Sequence, residues 1–164
     1  LKIHGHAIEL RVCAEDPLNN FLPSVGKLIR YQEPSGDNIR VDAGYVEGMD
    51  IPINYDPMIA KLVVHANNRT EAIQLMKTAI AGYHIEGVAT TLSFGTFVMN
   101  HEAFISGHFD TNFVKQYYSA DKIKDAQRQK ARIAALVALK HWLAARKEIK
   151  MAAPIASNWK SRLA

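Results

Sequence analysis

The residue with the clearest chemical potential is Arg11, the only cation in the stretch HAIELRVCAEDP. Apolar residues recur there at every second position, which predicts a β-strand with one apolar face: Ile8, Leu10 and Val12. Arg11 then shares the opposite face with Glu9 and Cys13. A guanidinium stays protonated at any working pH and presents its donors in one plane, so it can stabilise a developing oxyanion. The same pattern also fits a strand whose polar face is simply solvated.

An acidic pair, Glu15 and Asp16, follows the predicted strand and directly precedes Pro17. Paired carboxylates can bind Mg²⁺, but Asp before Pro is also a frequent start of a turn. We interpret the pair as a turn that ends the strand, because the sequence has no Gly-rich phosphate loop to accompany a metal and nucleotide. His4 and His6 share a strand face without a third ligand, so no metal site is predicted.

The first half of the chain has the pattern of strands separated by turns, at about residues 6–14, 26–32, 39–43 and 58–66. A cluster of turn residues from Pro34 to Asn38 predicts an antiparallel hairpin between the second and third strands. Tyr45–Asp56 has the composition of a loop. Ile59–Val64 is nearly continuous in β-forming residues, which predicts a central strand buried on most of both faces.

The second half changes to a helical period, beginning with a predicted helix over Arg69–Tyr83. Asn68 can cap this helix while Glu71 completes a capping box. Shorter helices are predicted over residues 91–99 and around residues 103–104. Asp110 is expected to cap a further helix that carries Phe113. Strands followed by helices indicate an α+β domain.

The formal net charge of +4 is unevenly distributed along the chain. Residues 122–164 contain eleven Lys and Arg against two acidic residues, a net charge of +9, which leaves −5 on residues 1–121. Such a segment can bind nucleic acid through counterion release or form one solvated face of a helix, and we prefer the helix. Residues 122–149 lack Gly and Pro and carry an apolar stripe, which predicts a long helix that needs a partner surface.

The 164 residues, 48% of them hydrophobic, are enough for one compact domain and an appendage. We therefore predict a domain over residues 1–120 and a basic helical extension or linker over residues 121–164. The longest apolar runs are far shorter than a membrane-spanning helix needs, and no signal peptide pattern is visible. A single cysteine, Cys13, indicates a cytoplasmic protein without an intrachain disulfide. The abrupt start within a predicted strand suggests a fragment.

Three separated motifs occur in order along the chain: HAIELRVCAEDP, FLPSVGKL and NYDPMIAKLV. Together with NRTEAI, DTNF and the turn at Gly87–Thr91, they strongly resemble the C-terminal domain of biotin carboxylase. That enzyme is the ATP-dependent component of acetyl-, propionyl- and methylcrotonyl-CoA carboxylases and of pyruvate carboxylase. The resemblance runs from about His4 to Tyr118. It implies a mainly antiparallel, sandwich-like sheet followed by packing helices.

The resemblance also implies a reaction and roles for single residues. Biotin on a carrier protein is carboxylated at the expense of ATP with bicarbonate, and the Mg²⁺ ligands are expected upstream, in an ATP-grasp domain absent from this sequence. Arg11 corresponds to the residue that stabilises negative charge on the ureido oxygen of biotin. Asp56 lies near the dimer and biotin region, or serves only as a structural turn. Phe113 falls where an apolar side chain contacts adenine, or packs in the core. Arg40 is a candidate for the homodimer interface.

The partners implied are the ATP-grasp portion of the same subunit, the biotin carboxyl carrier protein, the carboxyltransferase and a second copy of the subunit. Neither nucleic acid nor a membrane is expected as a partner. The chain by itself is predicted to be inactive, because the ATP-grasp domain is absent from it. The alternative is a non-catalytic module that dimerises and docks its basic helix onto another component of a carboxylase complex. In multifunctional carboxylases a helix at this place leads toward the transferase-contacting region, and the ending Trp159–Arg162 looks similar to its start.

Overall fold

The structure of the chain is a computed structural model that describes residues 2–147, apart from the side chains of residues 122, 126, 127, 130, 146 and 147. The helices in this range are α1 Arg69–Ala81, α2 Leu92–Asn100, α3 Glu102–Ser106, α4 Phe113–Tyr117 and α5 Ala120–Lys147. The strands are β1 His6–Cys13, β2 Glu15–Asp16, β3 Leu22–Pro23, β4 Gly26–Lys27, β5 Arg30–Gln32, β6 Ile39–Ala43, β7 Asp50–Ile51, β8 Met58–Ala66 and β9 His84–Glu86. All strand pairs within the described residues are antiparallel, so the predicted α+β fold, with packing helices and a long C-terminal helix, is confirmed.

The largest sheet has three strands in the order β1–β8–β6, which confirms β8 as the predicted central strand. Its residues alternate: Leu62 and Val64 are fully buried, whereas Lys61 and Val63 are half-buried. We call the side of Leu62 and Val64 the inner face and the side of Lys61 and Val63 the outer face. The outer face is less buried than the sequence predicts, because charged residues of β1 and β6 lie on both sides of it.

The predicted hairpin between the second and third strands is wrong. β5 pairs with β9, and β6 pairs with β8, although the turn residues lie between β5 and β6 as expected. Burial explains the choice: Ile39 and Val41 of β6 lie opposite Val64 and Leu62, where they extend the inner face. Three further ribbons have two strands each, namely β2–β3, β4–β7 and β5–β9.

The predicted strand over residues 26–32 is divided into β4 and β5 because the chain changes its partner at Leu28. The Leu28 amide donates to the carbonyl of Met49 beside β7, and the next amide, of Ile29, donates to Glu86 of β9. β7 itself lies in the segment that the sequence predicted as a loop. Leu28 is fully buried, which explains why the chain bends inward there.

Helix α1 packs against β1 and β8 and closes the core over the inner face. Asn68 caps it: its side-chain oxygen accepts from the Glu71 amide at 3.0 Å, and its side-chain nitrogen donates to the Glu71 carboxylate at 2.7 Å. The predicted capping pair is therefore confirmed, with the return hydrogen bond made to the Asn68 side chain. The helix ends at Ala81, immediately before Gly82.

The cap predicted for the helix that carries Phe113 is wrong by two residues. Asn112, and not Asp110, occupies the N-cap position of α4. The Asp110 carboxylate instead accepts the Asn112 amide at 2.8 Å, which forms a turn just before the helix. The shorter helices α2 and α3 lie where the sequence predicts them.

The chain divides into two compact units after Asp125, inside helix α5. The described part of the second unit, residues 126–147, is helical and exposes large apolar side chains, namely Ile133, Leu136, Val137, Leu139, Trp142 and Leu143. The predicted division between residues 120 and 121 stays a prediction. The predicted continuation of the helix to Ile149 and the ending Trp159–Arg162 lie outside the described residues. Among residues 2–147, no helix is both long and apolar enough to cross a membrane.

Candidate functional site

Arg11 lies on β1, and its side chain belongs to the outer face of the three-stranded sheet. It stands opposite Lys61 of β8, which in turn stands opposite Asp42 of β6. The Arg11 side chain is 70% exposed, and its Nε lies 3.6 Å from a carboxylate oxygen of Glu9 on the same strand. The guanidinium is thus held loosely at the surface, with most of its donors directed to solvent.

The strand changes its geometry directly after Arg11. The register between β1 and β8 shifts between Val12 and Cys13, and Cys13 then stands opposite Met58. Such an irregularity bends a strand and re-aims the side chains beside it. The Ala14 amide continues the connection by donating to the Pro57 carbonyl at 2.7 Å.

The acidic pair after β1 was predicted as a turn, but it forms the short strand β2, and the turn begins one residue later, at Pro17. The Asp16 carboxylate accepts the Leu18 amide at 2.9 Å and caps a 3₁₀ turn over Pro17–Asn19. Burial raises the pKa of Glu15, and the nearby Asp56 carboxylate raises it further. Within residues 2–147, no cluster of three or more His, Cys, Asp or Glu side chains is arranged to hold a metal ion.

Asp56 lies at the same end of the sheet as Arg11. Its carboxylate accepts the Met58 amide at 2.9 Å, so it forms the turn that leads into β8. Burial raises the pKa of the Cys13 thiol, the carboxylates of Glu15 and Asp56 raise it further, and the Arg11 guanidinium lowers it. These four side chains therefore form one electrostatic cluster, in which Cys13 is a neutral thiol near neutral pH.

Phe113 lies in a different environment from Arg11. Its ring is 6% exposed and packs against aromatic rings of α2 and α4 and of the loops between the helices. The nearest ring centroids are those of His101 at 5.1 Å and Tyr117 at 5.2 Å. This environment agrees with the core-packing alternative, while a contact with adenine stays a prediction.

Arg40 lies on β6, across the outer face from Arg11 and with Val63 of β8 between it and Glu9. It forms an ion pair of 2.8 Å with Asp42 on its own strand, and its side chain is 71% exposed. Its role in a dimer interface stays a prediction.

Sequence reasoning missed Thr91, which is buried at the start of α2. Its hydroxyl donates to the Arg11 carbonyl at 2.9 Å and accepts from the Cys13 amide at 3.0 Å. The signal in the sequence that points to this residue is the turn at Gly87–Thr91, which belongs to the family resemblance.

The fold and the sequence motifs of this chain match one family of known domains. The model of the family described as the biotin carboxylase C-terminal domain matches residues 9–116. This chain belongs to that family, which confirms the resemblance found in the motifs.

Individual proteins that are similar to this chain are biotin carboxylases or subunits of related carboxylases. Biotin carboxylase 1 of Bacillus subtilis is 43% identical over 117 residues, which cover 71% of this chain and 26% of that protein. One of the subunits of pyruvate carboxylase from Methanothermobacter thermautotrophicus is 46% identical over 117 residues, with 71% and 24% covered. Among solved structures, a biotin carboxylase from Campylobacter jejuni superposes with a TM-score of 0.68 at 40% identity and covers 71% of this chain and 26% of that one. This chain thus spans about a quarter of the length of these relatives.

Proposed function

We propose that this chain supplies the biotin-facing part of a biotin carboxylase, with Arg11 as the group that stabilises negative charge on the ureido oxygen. The observation that carries the proposal is an exposed guanidinium within the family domain, on a sheet whose opposite face is buried in the core. The loose contact with Glu9 leaves donors of Arg11 available to a bound anionic oxygen. A planar, permanently charged donor set suits an oxygen that gains charge when the neighbouring nitrogen loses its proton.

The surroundings of Arg11 keep its charge effective. A thiolate at Cys13 would neutralise the guanidinium, but burial and the carboxylates of Glu15 and Asp56 raise the pKa of this thiol. The cluster therefore favours a cationic Arg11 beside a neutral thiol near neutral pH. Asp56 contributes to this balance in addition to its turn, and we propose that it lines the biotin region.

The reaction needs groups that lie outside the described residues. ATP, Mg²⁺ and bicarbonate supply the activated carboxyl group, and we propose that an ATP-grasp portion of the same subunit binds them. The 164 residues contain no Gly-rich phosphate loop, so the proposal assigns the nucleotide and its metal to that portion. Phe113 is proposed to support the wall of the adenine pocket, and Arg40 to contact a second copy of the subunit.

The proposed partners are the biotin carboxyl carrier protein and the carboxyltransferase, which would act together with this subunit in the cytoplasm. The names of the relatives, which include a biotin carboxylase and part of a pyruvate carboxylase, support this setting. Without an ATP-grasp portion, the 164-residue chain is expected to show no biotin-dependent cleavage of ATP. Clear turnover by the chain alone would contradict this division of labour.

The decisive experiment measures carboxylation of free biotin by the complete subunit in which Gln replaces Arg11. Loss of one oxyanion donor should lower kcat by about 100- to 1,000-fold, while the melting temperature should stay nearly the same because the side chain is exposed. Arg30→Gln is a matched control, because Arg30 also lies on a strand in a loose 3.7 Å contact with a glutamate, Glu86. If Arg11→Gln keeps the turnover of the Arg30→Gln control, the proposal is wrong.

A second candidate function is a non-catalytic module for dimerisation and docking. It is favoured by the exposed apolar side chains of α5 between Ile133 and Leu143, which a solvated single helix does not need. Truncation after Ala120 should then prevent assembly with the transferase or the carrier, as measured by size-exclusion chromatography of the mixed components. Unchanged assembly of the truncated protein would argue against a docking role for the helix.

A further inference from the structure

The backbone around Arg11 lies at an edge of the sheet. β1 is an outer strand in the order β1–β8–β6, so alternate backbone groups point away from β8. Those groups include the carbonyl of Arg11 and the amide and carbonyl of Cys13, which a neighbouring strand would otherwise bind. They flank the position where the register with β8 shifts, so the regular ladder of hydrogen bonds to β8 is interrupted there.

Thr91 makes the hydrogen bonds that a neighbouring strand would otherwise make at this edge of β1. Its hydroxyl donates to the Arg11 carbonyl at 2.9 Å and accepts from the Cys13 amide at 3.0 Å. Its own amide donates to the Cys13 carbonyl at 3.1 Å. One residue, 78 to 80 positions away in the sequence, thus closes three hydrogen bonds on both sides of Val12.

The hydroxyl of Thr91 does not cap helix α2. Thr91 occupies the N-cap position of α2, where a threonine side chain normally accepts an amide of the first helical turn. It makes no such capping hydrogen bond here. The helix therefore forgoes a contact worth about 1 kcal/mol, and the hydroxyl serves β1.

Helix α2 is also pressed against β1 one turn further on. Gly95 is buried, and a Cβ placed on it would lie 2.6 Å from a methyl group of Leu10, the residue before Arg11. This close approach fixes the distance between the helix and the strand. The packing of α2 against β1 therefore sets the position of Thr91. The hydrogen bonds of Thr91 in turn hold the Arg11 backbone.

We propose that Thr91 is a positioning residue for Arg11, which fixes the backbone from which the guanidinium reaches the ureido oxygen. The inference rests on the proposed function. The Arg11 side chain is long and loosely paired, so its aim depends on the anchoring of its backbone. A misplacement of about 1 Å in a catalytic group can lower the rate by about 100-fold. Thr91 itself is buried and is not assigned a contact with substrate.

The test uses the complete subunit with free biotin, ATP, Mg²⁺ and bicarbonate. Thr91→Val keeps the shape of the side chain and removes both hydrogen bonds of the hydroxyl, whereas Thr91→Ser keeps the hydroxyl. Thr96→Val is the matched control, because Thr96 lies on the same helix and its hydroxyl bonds only the Leu92 carbonyl, at 3.1 Å. We expect Thr91→Val to lower kcat/KM for biotin by about 10- to 100-fold, while the KM for ATP changes by less than about twofold. Thr91→Ser should restore most of the activity, and Thr96→Val should leave it unchanged.

Several outcomes would contradict a positioning role for Thr91. Activity of Thr91→Val within about threefold of the parent overturns the inference, as does a Thr91→Ser variant that fails to restore activity. A parallel rise in the KM for ATP, with a lower melting temperature, indicates a general structural role and also overturns it. The Arg11→Gln variant is measured beside them: if it is inactive while Thr91→Val is fully active, only the positioning role fails. If Arg11→Gln is itself active, the proposed function fails.

Discussion

The two faces of the three-stranded sheet are made by the same strands but obey opposite constraints. On the inner face, Val12, Leu62 and Val64 are completely buried beneath α1. On the outer face, the side chains of Arg11 and Arg40 are 70% and 71% exposed. Neighbouring residues of one strand therefore lie in opposite environments, one in the buried core and the next in contact with solvent. The inner face forms part of the buried core, and this leaves the outer face free to carry charged side chains.

The charges of the outer face are arranged so that the sheet tolerates them. Lys61 stands between Arg11 and Asp42, and Val63 stands between Glu9 and Arg40. Glu9 lies beside Arg11, and Asp42 beside Arg40, so a carboxylate accompanies each arginine on its own strand. Cross-strand repulsion between Arg11 and Lys61 is thereby offset, and no charge needs to be buried.

The largest expected effect comes from placing the same charge on either face. Val64→Arg puts a guanidinium where the side chain is 0% exposed, and it should destabilise the chain by more than about 4 kcal/mol and prevent folding. Val63→Arg, one residue earlier on the outer face, should cost about 1 kcal/mol or less. Urea unfolding followed by circular dichroism compares the two variants. Equal loss of stability would mean that both faces are buried, and the contrast between them would be wrong.

A smaller effect is expected when an inner side chain is only shortened. Leu62→Ala leaves a cavity beneath α1 and should lower the free energy of unfolding by about 2–5 kcal/mol, because Leu62 is fully buried. Lys61→Ala is the control on the outer face of the same strand and should change the free energy by less than about 0.5 kcal/mol. A cost below about 1 kcal/mol for Leu62→Ala, on the order expected for a surface site, would show that the core closes over the gap or is loosely packed.

The ion pair between Arg40 and Asp42 should contribute less again. Its atoms lie 2.8 Å apart, but the side chains of Arg40 and Asp42 are 71% and 48% exposed, so solvent screens the pair. A double-mutant cycle with Arg40→Gln and Asp42→Asn should give a coupling free energy of about 0.2–1 kcal/mol, which falls at high salt. A coupling that is large and independent of salt would mean that the outer face is shielded from water.

The sequence predicted the long strands and α1 well and the short ribbons poorly. Strands β6 and β8 have the predicted bounds because each carries a clear local signal: apolar residues alternate over the five residues of β6, and β8 is a nearly continuous run of β-forming residues. The ribbons β2–β3, β4–β7 and β5–β9 have strands of two or three residues, too short for a period to appear. Their pairing depends on contacts between distant segments, such as the 2.5 Å hydroxyl contact of Tyr31 with Tyr83 near β5 and β9.

The candidate site divides in the same way. Arg11 and Asp56 belong to continuous motifs, so the sequence alone could suggest a role for each, and these roles stay predictions. Thr91 acts through hydrogen bonds to residues 78 and 80 positions away, and a threonine before a helix predicts a cap and not a strand contact. Phe113 was identified by its motif, but the sequence left open whether it packs or binds. Its burial among aromatic rings depends on how α2, α4 and the residues between the helices are arranged in space.

The smallest expected effect concerns Cys13, which lies where the strand leaves the charged outer face. Burial, Glu15 and Asp56 raise the pKa of its thiol, and Arg11 lowers it. The folded chain therefore disfavours the thiolate more than the unfolded chain does. The free energy of unfolding that depends on a protonated Cys13 is fully present below the pKa of the unfolded thiol. It is lost as the pH rises through the higher pKa of the folded thiol. Near neutral pH, changes to the surrounding charges should leave the stability almost unchanged and alter only the titration.

The rate of Cys13 alkylation by iodoacetamide, followed against pH by mass spectrometry, measures this titration. Its midpoint in the folded chain should lie above that of the chain unfolded in urea. Arg11→Gln should raise the midpoint, because it removes the cation that favours the thiolate. Asp56→Asn should lower it while keeping the oxygen that accepts the Met58 amide. Glu9→Gln is the control, because Glu9 does not contribute to the shift. If neither Arg11→Gln nor Asp56→Asn moves the midpoint, the four side chains do not form a common cluster, and the electrostatic support for Arg11 comes from elsewhere.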